Sequence, residues 1–235
     1  MNGDRHPYEQ RYIAFLDVLG FSTMVEQSNS GAAREEIYRI IHTLRNGVGF
    51  GGDNDTRITQ FSDCVVLSSR PSRSAVFWIL TAAQYLAATF IEQGVLIRGG
   101  IAFGPLIHDD TALFGPAMLT AYRLDASGGA PRILLDCSII SEIPHDDDYY
   151  LPDEFIRFDH RGGAAILHTF NAYTRASRSI DRWPDWRRNE YEDIVGLIGT
   201  RCSDPALSES ARDKWLWTRE YWNAEVASEK GIGFA

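Results

Sequence analysis

The stretch YIAFLDVLGFS, Tyr12 to Ser22, decides how this chain reads. Tyr12, Ile13, Ala14, Phe15 and Leu16 form a nearly continuous apolar run, the pattern of a strand whose two faces are both covered. The run ends on Asp17. Gly20 then makes a turn, and Phe21 and Ser22 open a helix with a hydroxyl near its N-terminus. A carboxylate at the end of a buried strand, beside a tight turn and a helix start, adds little to packing. It is well placed to hold a cation that in turn holds a phosphate. The simpler reading is that Asp17 caps the turn.

Composition bounds what surrounds this stretch. With 235 residues, 44% of them hydrophobic, the chain can bury a core of its own as one generous domain, or as one domain with an appendage. The chain is expected to hold no window of about 18 apolar residues and so no membrane span, and the opening MNGDRHPYEQ reads as too polar for a signal peptide. Cys64, Cys137 and Cys202 are isolated and odd in number, which fits a reduced, cytoplasmic setting without a disulfide or zinc framework. The net charge of −9 argues against a general nucleic-acid binder, because phosphate backbones need a basic face. Lys214 and Lys230 are the only lysines; the arginine bias suits bidentate phosphate contacts and equally suits a compositional bias of the genome.

Outward from the first strand, Thr23 to Arg45 reads as helix with an interruption around Ser28 to Gly31, and Gly47 to Asp55 as a loop. RITQFSDCVVLSS, Arg57 to Ser69, reads as a β-hairpin that turns at Ser62-Asp63. Asp63 is thus a second acid at a strand end. If the two strands are neighbours, Asp17 and Asp63 can share a pair of divalent cations, an arrangement suited to clamping a triphosphate. Ser72 to Gln93 is a second helix that Ser72 or Ser74 can cap. Next comes the strand VLIRGGIAFGPLI, Val95 to Ile107. Arg98 inside it needs an anionic partner, either a ligand or a core acid.

His108-Asp109-Asp110 reads as a polar hairpin tip rather than a metal site. Pro116 opens a third helix that ends in AYRLD, with Arg123 about two turns in. PRILLDCSII (Pro131 to Ile140) is a strand entering a short helix, and HDDDYY is an acidic loop. Phe155 to Phe170 is a last hairpin turning at Gly162-Gly163. Residues 171–235 read as a helical extension carrying Trp183, Trp186, Trp215, Trp217 and Trp222, an aromatic surface that must pack on the core or on a partner. The order of elements is α+β and compatible with a ferredoxin-like core over residues 1–170, a mostly antiparallel sheet with helices.

Four segments in order, FLDVLGFS, ITQFSDCVV, LIRGGIAFG and LFGPAMLTAYRLD, resemble the signature segments of class III nucleotidyl cyclases. The resemblance covers roughly Tyr12 to Phe170. It implies metal ligands at Asp17, Asp63 and the Val18 carbonyl, holding two divalent cations, Mn2+ or Mg2+. It implies a phosphate-binding arginine at Arg98, a transition-state arginine at Arg123 and, with weaker alignment, a terminal-phosphate contact at Arg161. It also implies a homodimer in which Arg123 and Thr59 of one protomer face the metal acids of the other, so that a monomer is inactive.

Three departures bear on the substrate. The purine-reading lysine of adenylyl cyclases is replaced by Thr59, their second base-reading acid by Ala112, and the catalytic asparagine by Leu119. Loss of the purine readers with both metal acids kept is similar to the pyrimidine cyclases of the Pycsar anti-phage systems. The implied reaction turns UTP into 3′,5′-cyclic UMP and pyrophosphate, for a cyclic-nucleotide effector outside this chain. CTP is the alternative substrate. A nucleotide-sensing pseudo-cyclase and a purine cyclase with unfamiliar readers are the rivals. Arg57, Thr59, Phe61 and Asp63 alternate onto one face of a regular strand, so Phe61 could floor a pyrimidine ring while Thr59 or Arg57 reaches its edge. Arg57 favours the uracil O4 carbonyl if it points inward, and favours nothing if it sits in solvent at the hairpin edge.

Overall fold

The computed structural model of the chain describes residues 7–46, 55–144, 152–171, 173–174 and 185–227, apart from the side chains of 185–190. Most of the Gly47–Asp55 loop, the acidic loop at 145–150, Trp183 and the Trp186 side chain lie outside the described residues.

The first strand, β1 (Glu9–Val18), is buried from Arg11 through Leu16, as its apolar run requires. Gly20, at φ 80°, turns the chain into the short helix α1 (Phe21–Glu26) without a side-chain cap, so the expected hydroxyl cap is absent. A Cβ at Gly20 would meet nothing within 4 Å, so the glycine answers to the left-handed backbone and not to crowding. After α2 (Gly31–Asn46), β2 (Arg57–Phe61) and β3 (Cys64–Ser69) form the expected hairpin, with Ser62 at φ 53° in its turn. Helix α3 (Arg73–Glu92) starts where Ser72 accepts the Ala75 N–H at 3.1 Å, a cap that stabilises by about 1 kcal/mol.

Strand β4 (Ile97–His108) pairs at its end with the short β5 (Leu113–Phe114), and α4 (Pro116–Ala126) follows. Beyond it lie β6 (Ile133–Leu135), α5 (Cys137–Ile140), a 3-10 turn at Pro152–Glu154, β7 (Ile156–Phe158) and β8 (Ala165–Leu167). Two helices close the described chain, α6 (Asp185–Ser203) and α7 (Glu209–Glu225).

The strands form one sheet in the order β2-β3-β1-β4-β6-β8-β7. Every pairing is antiparallel except β4 with β6. This is the mostly antiparallel α+β core expected. Alternation along β1 divides its two faces. Tyr12, Ala14, Leu16 and Val18 pack with α3 through Val76, Ile79, Leu80 and Ala83. Ile13 and Phe15 join Val66, Ala102 and Leu106 beneath Ala117 and Ala121 of α4.

One sequence expectation is corrected. Helix α3 is long and apolar enough to cross a membrane by length and composition. It is apolar nearly all round because it is a core helix, with 61% of its most apolar window buried inside the fold.

The C-terminal helices close over β6 and β8 on the face that α4 also covers. Trp217 and Trp222 of α7 are among the largest fully buried side chains, and Ile91, Leu96, Leu134 and Ile166 of the core share their cluster. Phe170 stacks on Tyr221 with ring centroids 5.2 Å apart and meets the Trp222 edge at 5.1 Å.

Helix α4 approaches β4 closely because Gly100 has no side chain. A Cβ there would lie 2.3 Å from the Ala121 carbonyl oxygen, a backbone atom that cannot swing aside. Gly100→Ala therefore destabilises the chain by about 3 kcal/mol, read as a fall in the urea midpoint at constant slope. An unchanged midpoint would show that α4 is not packed this tightly.

Candidate active site

The β-sheet register sets the site. Asp17 pairs with Cys64 of β3 on one side and with Arg98 of β4 on the other. Cys64 in turn pairs with Phe61 of β2. Directly opposed residues share a face, so Phe61, Cys64, Asp17 and Arg98 form one row across four strands, on the face that α4 covers. The hairpin tip is tied to the end of β1, where Val18 donates its N–H to the Asp63 carbonyl at 3.1 Å. Asp17 and Asp63 are therefore neighbours although far apart in sequence. One ligand atom from each of Asp17, Asp63 and Cys64 lies within 4.8 Å of the others.

The chemistry of this donor set fits a hard divalent cation. Cys64 Sγ donates to Asp17 Oδ1 at 3.3 Å. Burial, then the hydrogen bond to Asp17 and the charges of Asp17, Asp63 and Asp125, push its thiol well above the usual range. A protonated thiol is a poor ligand, which leaves carboxylate oxygens, the ligands Mg2+ and Mn2+ prefer.

Arg98 finds its anionic partners in the protein itself. Its Nε donates to Asp17 Oδ2 at 3.1 Å and lies 3.1 Å from Asp125 Oδ1. A single N–H points at one acceptor, so Asp17 receives the hydrogen bond and Asp125 only the charge. Buried on α4, the Asp125 carboxyl is pushed up to about 6 by desolvation, held back by Arg98 and raised further by Asp17.

Arg123 points elsewhere. The buried stripe of α4 is Ala117, Ala121 and Asp125. Two residues past Ala121 is about 200° around the helix, and Arg123 is exposed on the outer side. Leu119, 53% exposed, and Tyr122, 51% exposed, share that outer surface.

The expected base-reading residues divide. Arg57 Nη1 pairs with Asp110 at 2.9 Å, with its side chain 40% exposed, so it lies at the edge and its donors serve Asp110. Phe61 is 47% exposed on the face of the acids. Ala112 lies in the turn between β4 and β5, where its N–H is held by Asp109 Oδ1 at 2.9 Å. Thr59 Oγ1 sits 2.8 Å from His108 Nε2. His108, which the sequence places in a polar tip, is 6% exposed; a histidine closing an otherwise apolar strand is the signal for its burial.

Arg161 is held by α7. Its Nε donates to Glu220 at 2.9 Å and its Nη1 to Asp213 at 3.2 Å. His160 lies 2.9 Å from the same Glu220. The guanidinium expected on the terminal phosphates is thus engaged by the C-terminal extension.

No family model matches the chain, and no curated relative does. Similar solved structures include a class III adenylyl cyclase-like ATP-binding protein from Pseudomonas aeruginosa, with 15% identity and a TM-score of 0.45 over 58% of this chain. The chain spans 35% of that protein's length. Others are a bacterial light-regulated adenylyl cyclase, with 14% identity and a TM-score of 0.47 over 74% of this chain and 98% of that one, and an adenylate/guanylate cyclase/hydrolase from Silicibacter pomeroyi, with 17% identity and a TM-score of 0.42 over 68% of this chain and 94% of that one.

The raised Asp125 carboxyl has a consequence for stability. Between about pH 4 and about pH 6 the native state keeps a proton that the unfolded chain has released, so this group's contribution falls as pH rises and levels off above 6. Asp125→Asn removes the penalty. The variant gains about 1–3 kcal/mol relative to the parent on going from pH 4 to pH 7, measured by urea unfolding at each pH. A pH-independent difference between the two would contradict this.

Proposed function

We propose that the chain is a nucleotidyl cyclase that prefers UTP and releases 3′,5′-cyclic UMP and pyrophosphate. The observation that carries this reading is the pair Asp17 and Asp63, held together at adjoining strand ends with Arg98 fixed on Asp17. The four ordered motifs of the sequence support it, and the proposed role in anti-phage signalling draws on those motifs alone.

Asp17 and Asp63, with the Val18 carbonyl, would hold the two divalent cations, which when bound acidify a ribose hydroxyl and offset phosphate charge. Arg98 donates to the triphosphate and fixes its position, and Arg123 donates to charge growing on the α-phosphate and leaving oxygen. The 3′-oxygen bonds to the α-phosphorus, the bond from that phosphorus to the α,β-bridging oxygen breaks, and the hydroxyl proton passes to solvent. Pyrophosphate departs with the bridging oxygen.

The outward direction of Arg123 favours a composite site. It faces away from the acids of its own chain, and the exposed Leu119 and Tyr122 beside it form an apolar surface suited to a second copy. Head-to-tail pairing brings each Arg123 to the acids of the partner.

One observation favours the second reading, a pseudo-cyclase that binds nucleotide without turnover. Arg98 already neutralises Asp17, so the two acids do not need a cation to relieve their repulsion. Leu119, in place of the family asparagine, points the same way.

Incubation with each of the four nucleoside triphosphates and Mn2+ separates the readings. UTP yields the most pyrophosphate and cyclic nucleotide, while Asp17→Ala and Asp63→Ala lower turnover at least a thousandfold, on the order of losing a metal site, with the fold intact by circular dichroism. Near-normal activity in either variant would remove the two-metal assignment.

Complementation tests the composite site. Mixing inactive Asp63→Ala and inactive Arg123→Ala chains restores part of the activity, because one site of each heterodimer is then wholly native. No recovery after demonstrated subunit exchange would exclude pairing in this form.

A further inference from the structure

A buried polar chain leads from Arg11 to Thr59. Arg11, 1% exposed, is held at Nη1 by Glu9 and Asp55, both at 3.1 Å, and donates from Nε to Ser68 Oγ at 3.0 Å. Ser68 Oγ lies 2.8 Å from His108 Nδ1, and His108 Nε2 lies 2.8 Å from Thr59 Oγ1. His108 lies two residues beyond Leu106, the last β4 residue paired with β1, and its ring joins β4 to the edge hairpin. A ring with both nitrogens engaged can be wired in two ways, and only one of them leaves the Thr59 hydroxyl hydrogen free for a ligand.

The direction is fixed from the arginine end. A guanidinium N–H can only donate, so Ser68 accepts from Arg11. Were Ser68 also to accept from His108, its own hydrogen would be a donor buried at 0% exposure with no acceptor among the described residues. Ser68 therefore donates to Nδ1. The proton of the neutral ring is then on Nε2 and is donated to Thr59, which spends one of its two lone pairs on the ring and keeps its hydroxyl hydrogen to donate to a ligand. The ring stays neutral near pH 7: burial, then the charges of Arg11 and Arg57, lower His108 to about 4 against a smaller opposing effect of Asp109.

We infer that His108 is a positioning residue for base selection, which keeps the Thr59 hydroxyl hydrogen free to donate and so favours the carbonyl edge of uracil over the amino edge of cytosine, which would leave that hydrogen unpaired. This deepens the proposed function and rests on Thr59 facing the base. The opposite wiring, with the proton on Nδ1, would make Thr59 an acceptor and favour cytosine.

Two measurements test it. Long-range 1H–15N correlation on the 15N-histidine wild-type chain without nucleotide should show His108 neutral at pH 7, protonated on Nε2 and bare on Nδ1. A proton on Nδ1, or a charged ring, overturns the wiring whether or not the protein turns over.

Competition between UTP and CTP then reads selection. His108→Phe frees the Thr59 hydroxyl to turn either way, and the UTP:CTP ratio falls by on the order of tenfold; Thr59→Val lowers it by a similar factor. Thr59→Val is a near-isosteric change at a half-buried position and provides the second variant if His108→Phe fails to fold. Ratios unchanged in folded variants overturn the role in selection while the wiring stands. Failure of the wild type to cyclise any nucleotide overturns the functional reading and base selection with it, and leaves the tautomer result to be judged by itself.

Discussion

The cross-strand ion pair between Arg98 and Asp17 is the interaction on which the site depends. It exists because β1 and β4 run antiparallel in a register that opposes these two residues on the face beneath α4. A lone carboxylate at the end of a buried strand would be costly. With Arg98 beside it, Asp17 can occupy a position only 14% exposed at its side chain, while its other oxygen accepts only the weak S–H donor of Cys64 at 3.3 Å. Asp125 joins from α4 at the cost of its own desolvation, which ties the covering helix electrostatically to the row of residues it overlies.

The edge of the sheet follows a different logic. Edge strands expose unpaired backbone and need some device to fix them. Here β2 is fixed by polar side chains: His108 reaches Thr59, Ser68 and Arg11 complete the chain, and Arg57 is anchored by Asp110 outside. A buried polar network tolerates few arrangements of its protons because each unsatisfied member is penalised. That property lets a stabilising network also dictate what a side chain at its end presents to a ligand.

The C-terminal helices are integral to the protein. Their aromatic residues share a cluster with core strands, and Trp217 Nε1 donates to the buried Asp159 at 3.2 Å, which Arg132 also contacts. Glu220 and Asp213 hold Arg161 on the same side. Any nucleotide phosphate drawing on Arg161 would have to compete with α7 for it. The extension thereby acts on a basic side chain that the motifs alone would leave free.

Much of this was determined by the sequence alone, because it depends on local rules. Apolar runs, a serine cap at Ser72 or Ser74, the Ser62-Asp63 turn and the broken helix around Ser28 to Gly31 follow from residue periodicity and turn chemistry, and the longer strands and helices lie where those signals place them, whereas the two-residue β5 is too short to leave a period. The two acids were legible as strand-end residues for the same reason. Tertiary structure alone decided their partners. Arg98 reads as a ligand contact or a core ion pair until β1 lies beside it; Arg57 reads as a base contact or a solvent-edge residue until Asp110 engages it, and Arg161 as a phosphate contact until α7 does; His108 reads as a surface tip until its ring meets Thr59 and Ser68. Periodicity records which face a residue takes along its own element, whereas a hydrogen bond is made with whichever group distant chain segments bring within about 3 Å.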